Sequence, residues 1–190
     1  MEKKLIGKKV AILATDGFEQ SELLEPHKAL LNNGALVDII SLKKGKIKGW
    51  KDKNWGEEVE ANVSIDEATS GKYDALVLPG GVMNPDKLRM NKDVVNFVKD
   101  FFEERKPIAA ICHGPWTLIE TGKLKGRKVT SYESIKTDLV NAGAKWLDEE
   151  VVVDKGLVTS RTPKDLPAFC KKMVEEIAEG IHEKVEWKLE

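Results

Sequence analysis

The sequence predicts an α/β fold of the flavodoxin-like, doubly wound type: a mostly parallel sheet with helices on both faces. Two observations carry that expectation. Short, nearly continuous apolar runs alternate with amphipathic stretches from residue 9 onward, which is the signature of successive strand-helix units. The apolar runs are also unbroken by polar residues, as parallel strands covered on both faces require.

The elements follow in order. "KVAILAT" at Lys9 to Thr15 reads as a central strand. Ser21 to Asn33 carries Leu23, Leu24, Leu30 and Leu31 at helical spacing and stops at Gly34. "ALVDIIS" at Ala35 to Ser41 is a second strand. Lys43 to Ser64 is a Lys-rich excursion, best read as a small hairpin. Its Trp50 and Trp55 either cover a site, meet a partner subunit or fold onto the edge of their own domain. "DALVLPGG" at Asp74 to Gly81 is a buried strand with a Pro-Gly-Gly turn, and Asn84 before Pro85 reads as a helix N-cap with proline at the first helical position. Val94, Val98, Phe101 and Phe102 form an apolar helical stripe ending near Arg105. "PIAAI" at Pro107 to Ile111 is another strand, leading through Cys112 into the helix-like "PWTLIETG". Beyond it come "KVTSY", a helix from Ile135 to Ala142, strands at Val151 to Val153 and Leu157 to Ser160, and a last helix from Pro163. Leu166, Phe169, Cys170, Met173, Val174, Ile177 and Ile181 share one face of that helix, which makes Cys170 a core residue.

Composition sets limits on function. A chain of 190 residues without repeats, low-complexity tracts or linkers is expected to be one domain over residues 1–190. Its 31 basic and 32 acidic side chains nearly cancel, leaving no field to attract nucleic acid or an anionic membrane. The charged opening and its short apolar run suit neither a signal peptide nor a membrane span, so a cytoplasmic location is expected. Cys112 and Cys170 lack the spacing of a disulfide scaffold or zinc site. With no HExxH motif and no Cys/His cluster, no metal is expected; thiolate attack on a carbonyl would need no external cofactor either.

Chemistry converges at the carboxyl ends of three strands, where ligands bind in open parallel sheets. The loops there carry Asp16 to Glu19, then Gly80 and Gly81, then Cys112. "AICHG" at Ala110 to Gly114 places a nucleophile between small residues two before and two after it, the spacing of a nucleophile elbow. A helix N-terminus behind the thiol would lower its pKa. The alternative is a buried cysteine that merely ends a strand. His113 is either a base for Cys112 or a brace for the elbow. Glu19 either faces the thiol as a protonated hydrogen-bond donor with a raised pKa, or is an ordinary acid of a first helical turn. Gly80 and Gly81 can bring backbone N–H groups to a developing oxyanion, together with the N–H of His113. His27 and His182 are expected at the surface.

These stretches, "GFEQSELLEP", "DALVLPGG", "NPDKLR", "AAICHGPWTLIETG", "LKGRKVTSY", "DLVNAGAKWLDEEVVVD" and "LVTSRTPKDLPAF", together resemble the ThiJ/PfpI superfamily and the PfpI family within it, over roughly residues 9 to 175. The resemblance implies a flavodoxin-like sandwich with Cys112 as nucleophile, His113 as a catalytic partner, Glu19 against the sulfur, and Gly80 and Gly81 at the oxyanion pocket. It also implies that Asp86 completes the site from a neighbouring subunit, so a homodimer or higher homo-oligomer is expected. Trp116 stands where many protease-named members have Gln, which would reshape a substrate-binding pocket mouth. The superfamily is class I glutamine amidotransferase-like, but no downstream His and Glu pair suits glutamine hydrolysis; His182 precedes Glu183 and Lys184. The implied activities are a glyoxalase or deglycase acting on small reactive carbonyls or glycated protein, an intracellular cysteine peptidase, or a non-enzymatic redox-sensing stress chaperone.

Overall fold

The computed structural model describes residues 3–181. Strands β1 (Lys9–Leu13) and β2 (Phe18–Glu19) precede helix α1 (Gln20–Asn32), followed by β3 (Leu36–Ser41), β4 (Gly45–Lys51), β5 (Asn54–Ala61) and β6 (Val63–Ser64). Then come β7 (Ala75–Leu78), α2 (Met83–Arg89), α3 (Lys92–Glu103), β8 (Ile108–Ile111) and α4 (Pro115–Ile119). The chain continues through β9 (Lys128–Val129), α5 (Lys136–Asn141), β10 (Lys145–Trp146), β11 (Val151–Asp154), β12 (Leu157–Ser160) and α6 (Leu166–Glu179).

Seven strands form the main sheet in the order β11-β12-β8-β7-β1-β3-β6, parallel except for the β11–β12 pair. Alternation along β1 divides the core: Val10 and Ile12 pack with Leu23 and Leu30 of α1 and Phe169 and Met173 of α6, whereas Ala11 and Leu13 pack with α3 and with Leu118 and Leu139 beyond it. The sheet is therefore buried on both faces, which explains why its strands read as continuous apolar runs. The chain leaves β1 toward β3 on one side and later returns to β7 on the other. The crevice at that reversal is where the loops after β1, β7 and β8 meet.

Several local expectations change. Lys43 to Ser64 is indeed built around a hairpin, β4 with β5, but β4 also pairs with β2, so the hairpin extends the loop that carries Glu19, with Trp50 in register with that residue. Trp50 and Trp55 meet edge to face, with ring centroids 5.5 Å apart. Asn84 is no cap. It lies inside α2, fully buried, where its amide accepts from Thr15 N and donates to the carbonyls of Pro79 and Gly80, tying the loops after β1 and β7 together. "KVTSY" adds β9 to a separate two-stranded sheet with β10. Helix α6 stops at Gly180, whose φ of 82° favours glycine, so Ile181 lies beyond it and is exposed. His27 is half-buried, and His182 lies outside the described residues.

Candidate active site

Cys112 sits in the turn between β8 and α4 with φ of 62°, a left-handed backbone that a non-glycine residue adopts only when its surroundings hold it there. The small residue two positions on is a steric requirement. A Cβ on Gly114 would strike the Leu78 carbonyl and come within 2.9 Å of the Ile111 oxygen. Gly80 is constrained in the same way: a Cβ there would lie 2.5 Å from Glu22 Oε2 and 2.7 Å from Cys112 Cβ. The spacing thus marks a strained, close-packed elbow.

The acid against the sulfur is Glu22, not Glu19. Glu22 is fully buried in the first turn of α1; its Oε2 accepts from Gly80 N at 2.9 Å, and its carboxyl hydrogen-bonds the Cys112 side chain. Burial, with the charge of Glu19 adding to it, pushes the Glu22 carboxyl up to about 8, so it is protonated at neutral pH. Glu19 is half-buried at the N-cap of α1 and takes a 3.4 Å hydrogen bond from Ser21 Oγ; burial raises its pKa too, but its carboxylate does not meet the thiol. The sequence held a signal for the right acid. Glu22, Pro26 and Leu30 follow one another at a spacing of four, all buried, so Glu22 is a carboxylate set in an apolar helical stripe.

His113 Nδ1 lies 3.2 Å from Cys112 Sγ, and its Nε2 lies 3.0 Å from Ser134 Oγ. Tyr132 stacks on the imidazole at 4.8 Å and Trp116 meets its edge at 5.5 Å. Burial lowers the His113 pKa, which keeps the ring neutral and able to accept a proton. Trp116 is itself fixed by a 2.7 Å hydrogen bond from Nε1 to Asp138 and by Arg89 over its ring.

The thiol environment departs from expectation. Burial pushes the Cys112 pKa up, and an ionised Glu22 would push it further; the N–H groups of Gly81 and His113 pull it down by hydrogen-bonding the sulfur. Helix α4, at five residues, supplies too short a dipole to dominate. Protonated Glu22 removes its own repulsion and turns a charge into a donor. Gly80 is not an oxyanion donor, because its N–H is taken by Glu22; the donors facing the sulfur come from Gly81 and His113. Asp86 is exposed in the first turn of α2, and within the described chain its carboxylate makes no hydrogen bond or ion pair with His113. Among the described residues, no group of three His, Cys, Asp or Glu is placed to hold a metal.

Residues 8–176 match the model of the DJ-1/PfpI family. This chain is a member of the DJ-1/PfpI family. It is 48% identical over 169 residues to general stress protein 18 of Bacillus subtilis, covering 88% of this chain and 96% of that one. It is 47% identical over 168 residues to protein/nucleic acid deglycase 2 of Escherichia coli, covering 88% and 96%. The fold superposes on Drosophila melanogaster DJ-1beta with a TM-score of 0.83 at 30% identity, covering 91% of each chain. The DJ-1/PfpI assignment agrees with the resemblance of the sequence motifs, and the mostly parallel sheet covered on both sides is the fold of these neighbours.

Proposed function

We propose that this DJ-1/PfpI member is a cysteine-dependent enzyme that acts on small reactive carbonyls or on the adducts they form with proteins, a deglycase or glyoxalase type of stress protection. One observation carries the reading: a thiol on a strained elbow is flanked by a neutral imidazole nitrogen at 3.2 Å and a protonated carboxyl. The deglycase relative at 47% identity supports the substrate class.

The chemistry balances with these groups alone. Cys112 gives its proton to His113 Nδ1 as Sγ bonds the aldehyde carbon; the C=O electron pair moves to oxygen, which takes up a proton, and a hemithioacetal results. With a 2-oxoaldehyde, a proton moves from the aldehyde carbon to the neighbouring one through an enediol, giving a thioester. Water then hydrolyses it to a 2-hydroxy acid and restores the thiol. Glu22 donates to the sulfur whenever that atom carries charge. Trp116 borders the imidazole and would shape the mouth through which the carbonyl enters.

The proposal extends to a homo-oligomer, at least a dimer, in which Asp86 of one copy approaches His113 of another, and to a cytoplasmic setting. Among the described residues no helix is long and apolar enough to cross a membrane. Methylglyoxal consumption measured beside a peptide-substrate panel, with Cys112→Ser as control, tests the reading. Loss of wild-type methylglyoxal consumption in Cys112→Ser supports it; cleavage of peptides alone would assign the site to a peptidase, and activity on neither would favour a redox-sensing role.

A further inference from the structure

A histidine base needs one nitrogen unprotonated and aimed at its target, and the proton must therefore be held on the other. Here both nitrogens are engaged within one chain: Nδ1 faces Cys112 Sγ at 3.2 Å and Nε2 faces Ser134 Oγ at 3.0 Å. We infer that Ser134 is the positioning residue that sets the His113 tautomer, accepting the Nε2–H so that Nδ1 keeps its lone pair for the Cys112 thiol. The inference rests on reading Cys112 as the nucleophile.

Three features support that role. The ring cannot easily swing away, because Tyr132 stacks on one face at an interplanar angle of 23° and Trp116 meets the edge. Tyr132 is anchored in turn by its N–H to the Cys112 carbonyl at 2.9 Å, so the turn that carries Ser134 is tied to the elbow itself. The acceptor is also chemically suited. After the proton moves from sulfur to Nδ1, the imidazolium still donates Nε2–H to the same hydroxyl, so no reorganisation is needed during the step. A hydroxyl carries no charge, so it holds the ring in place without itself stabilising the imidazolium. His113, already held low by burial, can therefore return the proton to the substrate oxygen.

The side chain of Ser134 is exposed, so replacing it should leave the fold intact. The test uses the full chain as wild type, Ser134→Ala and Ser134→Thr. Two-bond proton-nitrogen spectra of 15N-histidine-labelled protein are expected to show His113 protonated at Nε2 in wild type and Ser134→Thr, and a mixture of tautomers in Ser134→Ala. The rate of Cys112 alkylation by iodoacetamide, followed against pH, should fall about tenfold in Ser134→Ala and recover in Ser134→Thr, the size expected for one lost hydrogen bond to a charged group. The kcat on methylglyoxal should fall by a similar factor with KM little changed. The inference is overturned if Ser134→Ala retains the wild-type tautomer and alkylation profile, or if Asp86→Asn shifts the tautomer while Ser134→Ala does not. Should wild type fail to consume methylglyoxal, the proposed function fails, yet the spectra and alkylation profile still decide the role of Ser134.

Discussion

Helix α1 sets an acid beside each of the two cysteines, one turn apart, and the two pairs behave differently. Glu22 is buried, protonated and hydrogen-bonded to Cys112, while Glu25 is exposed and acts on Cys170 only through its charge. Both thiols are pushed up by burial, Cys170 to about 12. Cys112 alone has N–H donors from Gly81 and His113 on its sulfur and an imidazole nitrogen within reach. Cys170 is half-buried and lines a groove of about 430 Å³ between α1 and α6, shared by apolar Ala29, Leu166 and Pro167 and polar Glu25, Lys28 and Asn32. The comparison separates burial from activation: burial raises both thiols, and only at Cys112 does it also bring groups able to stabilise the anion and take its proton.

The largest test of that comparison is removal of each sulfur. Cys112→Ser is expected to lower carbonyl turnover by at least about a thousandfold, because nucleophile and proton donor are lost together. Cys170→Ser should leave turnover essentially unchanged. Steady-state rates of the two variants check this, and comparable losses in both would break the distinction.

Next in size is the elbow geometry, which only the Cys112 side possesses. Gly80→Ala would drive a methyl into Glu22 Oε2 and Cys112 Cβ. It should cost on the order of 1–3 kcal/mol, as overpacking does, and should slow Cys112 alkylation. A lowered urea midpoint together with slower labelling at Cys112, and unchanged labelling at Cys170, is the expected pattern.

Much of this was legible in the sequence. Continuous apolar runs identified the parallel strands, and the small residues around Cys112 identified the elbow, since both follow from local sterics. Glu22 was harder to see because its meaning depends on which face of α1 meets the turn after β7, a tertiary fact. Asn84 misled for a related reason: Asn before Pro is a strong local cap signal, but burial against the Thr15 and Pro79 backbone gave its amide better partners. Ser134, 21 residues after His113, carries no local signal at all, because only the fold of the turn after β9 brings it to the imidazole.

A third prediction concerns pH and separates the two acids at the start of α1. The Glu22 pKa is about 8 in the folded protein against an ordinary 4.5, so the folded state holds a proton that the unfolded chain releases between those values. The stabilisation is complete below about 4.5 and is lost as pH rises through 8. Relative to Glu22→Gln, wild type should therefore lose a few kcal/mol over that window, on the order of 1.4 kcal/mol per unit of pKa shift at most. Urea unfolding at several pH values measures it. Glu19→Gln should leave a pH dependence close to that of wild type; if it flattens the curve more than Glu22→Gln does, the assignment of the buried acid is wrong.

The smallest effect sharpens the other half of the comparison. Burial is the main cause of the raised Cys170 pKa, and the charge of Glu25 adds a lesser part across an exposed surface. Glu25→Gln should therefore speed the alkylation of Cys170 only about twofold at low salt, since a charge in contact with solvent acts weakly. Added salt should erase most of the difference, because the Debye length shrinks to about 3 Å at 1 M. Labelling of Cys112, followed in the same sample by peptide mass mapping, should not respond to Glu25→Gln or to salt in that way, since its acid is buried, protonated and in direct contact. If salt changed the two thiols equally, Cys112 would be sensing surface charge as Cys170 does, and the enclosed Cys112–Glu22 pair could not be the source of its reactivity.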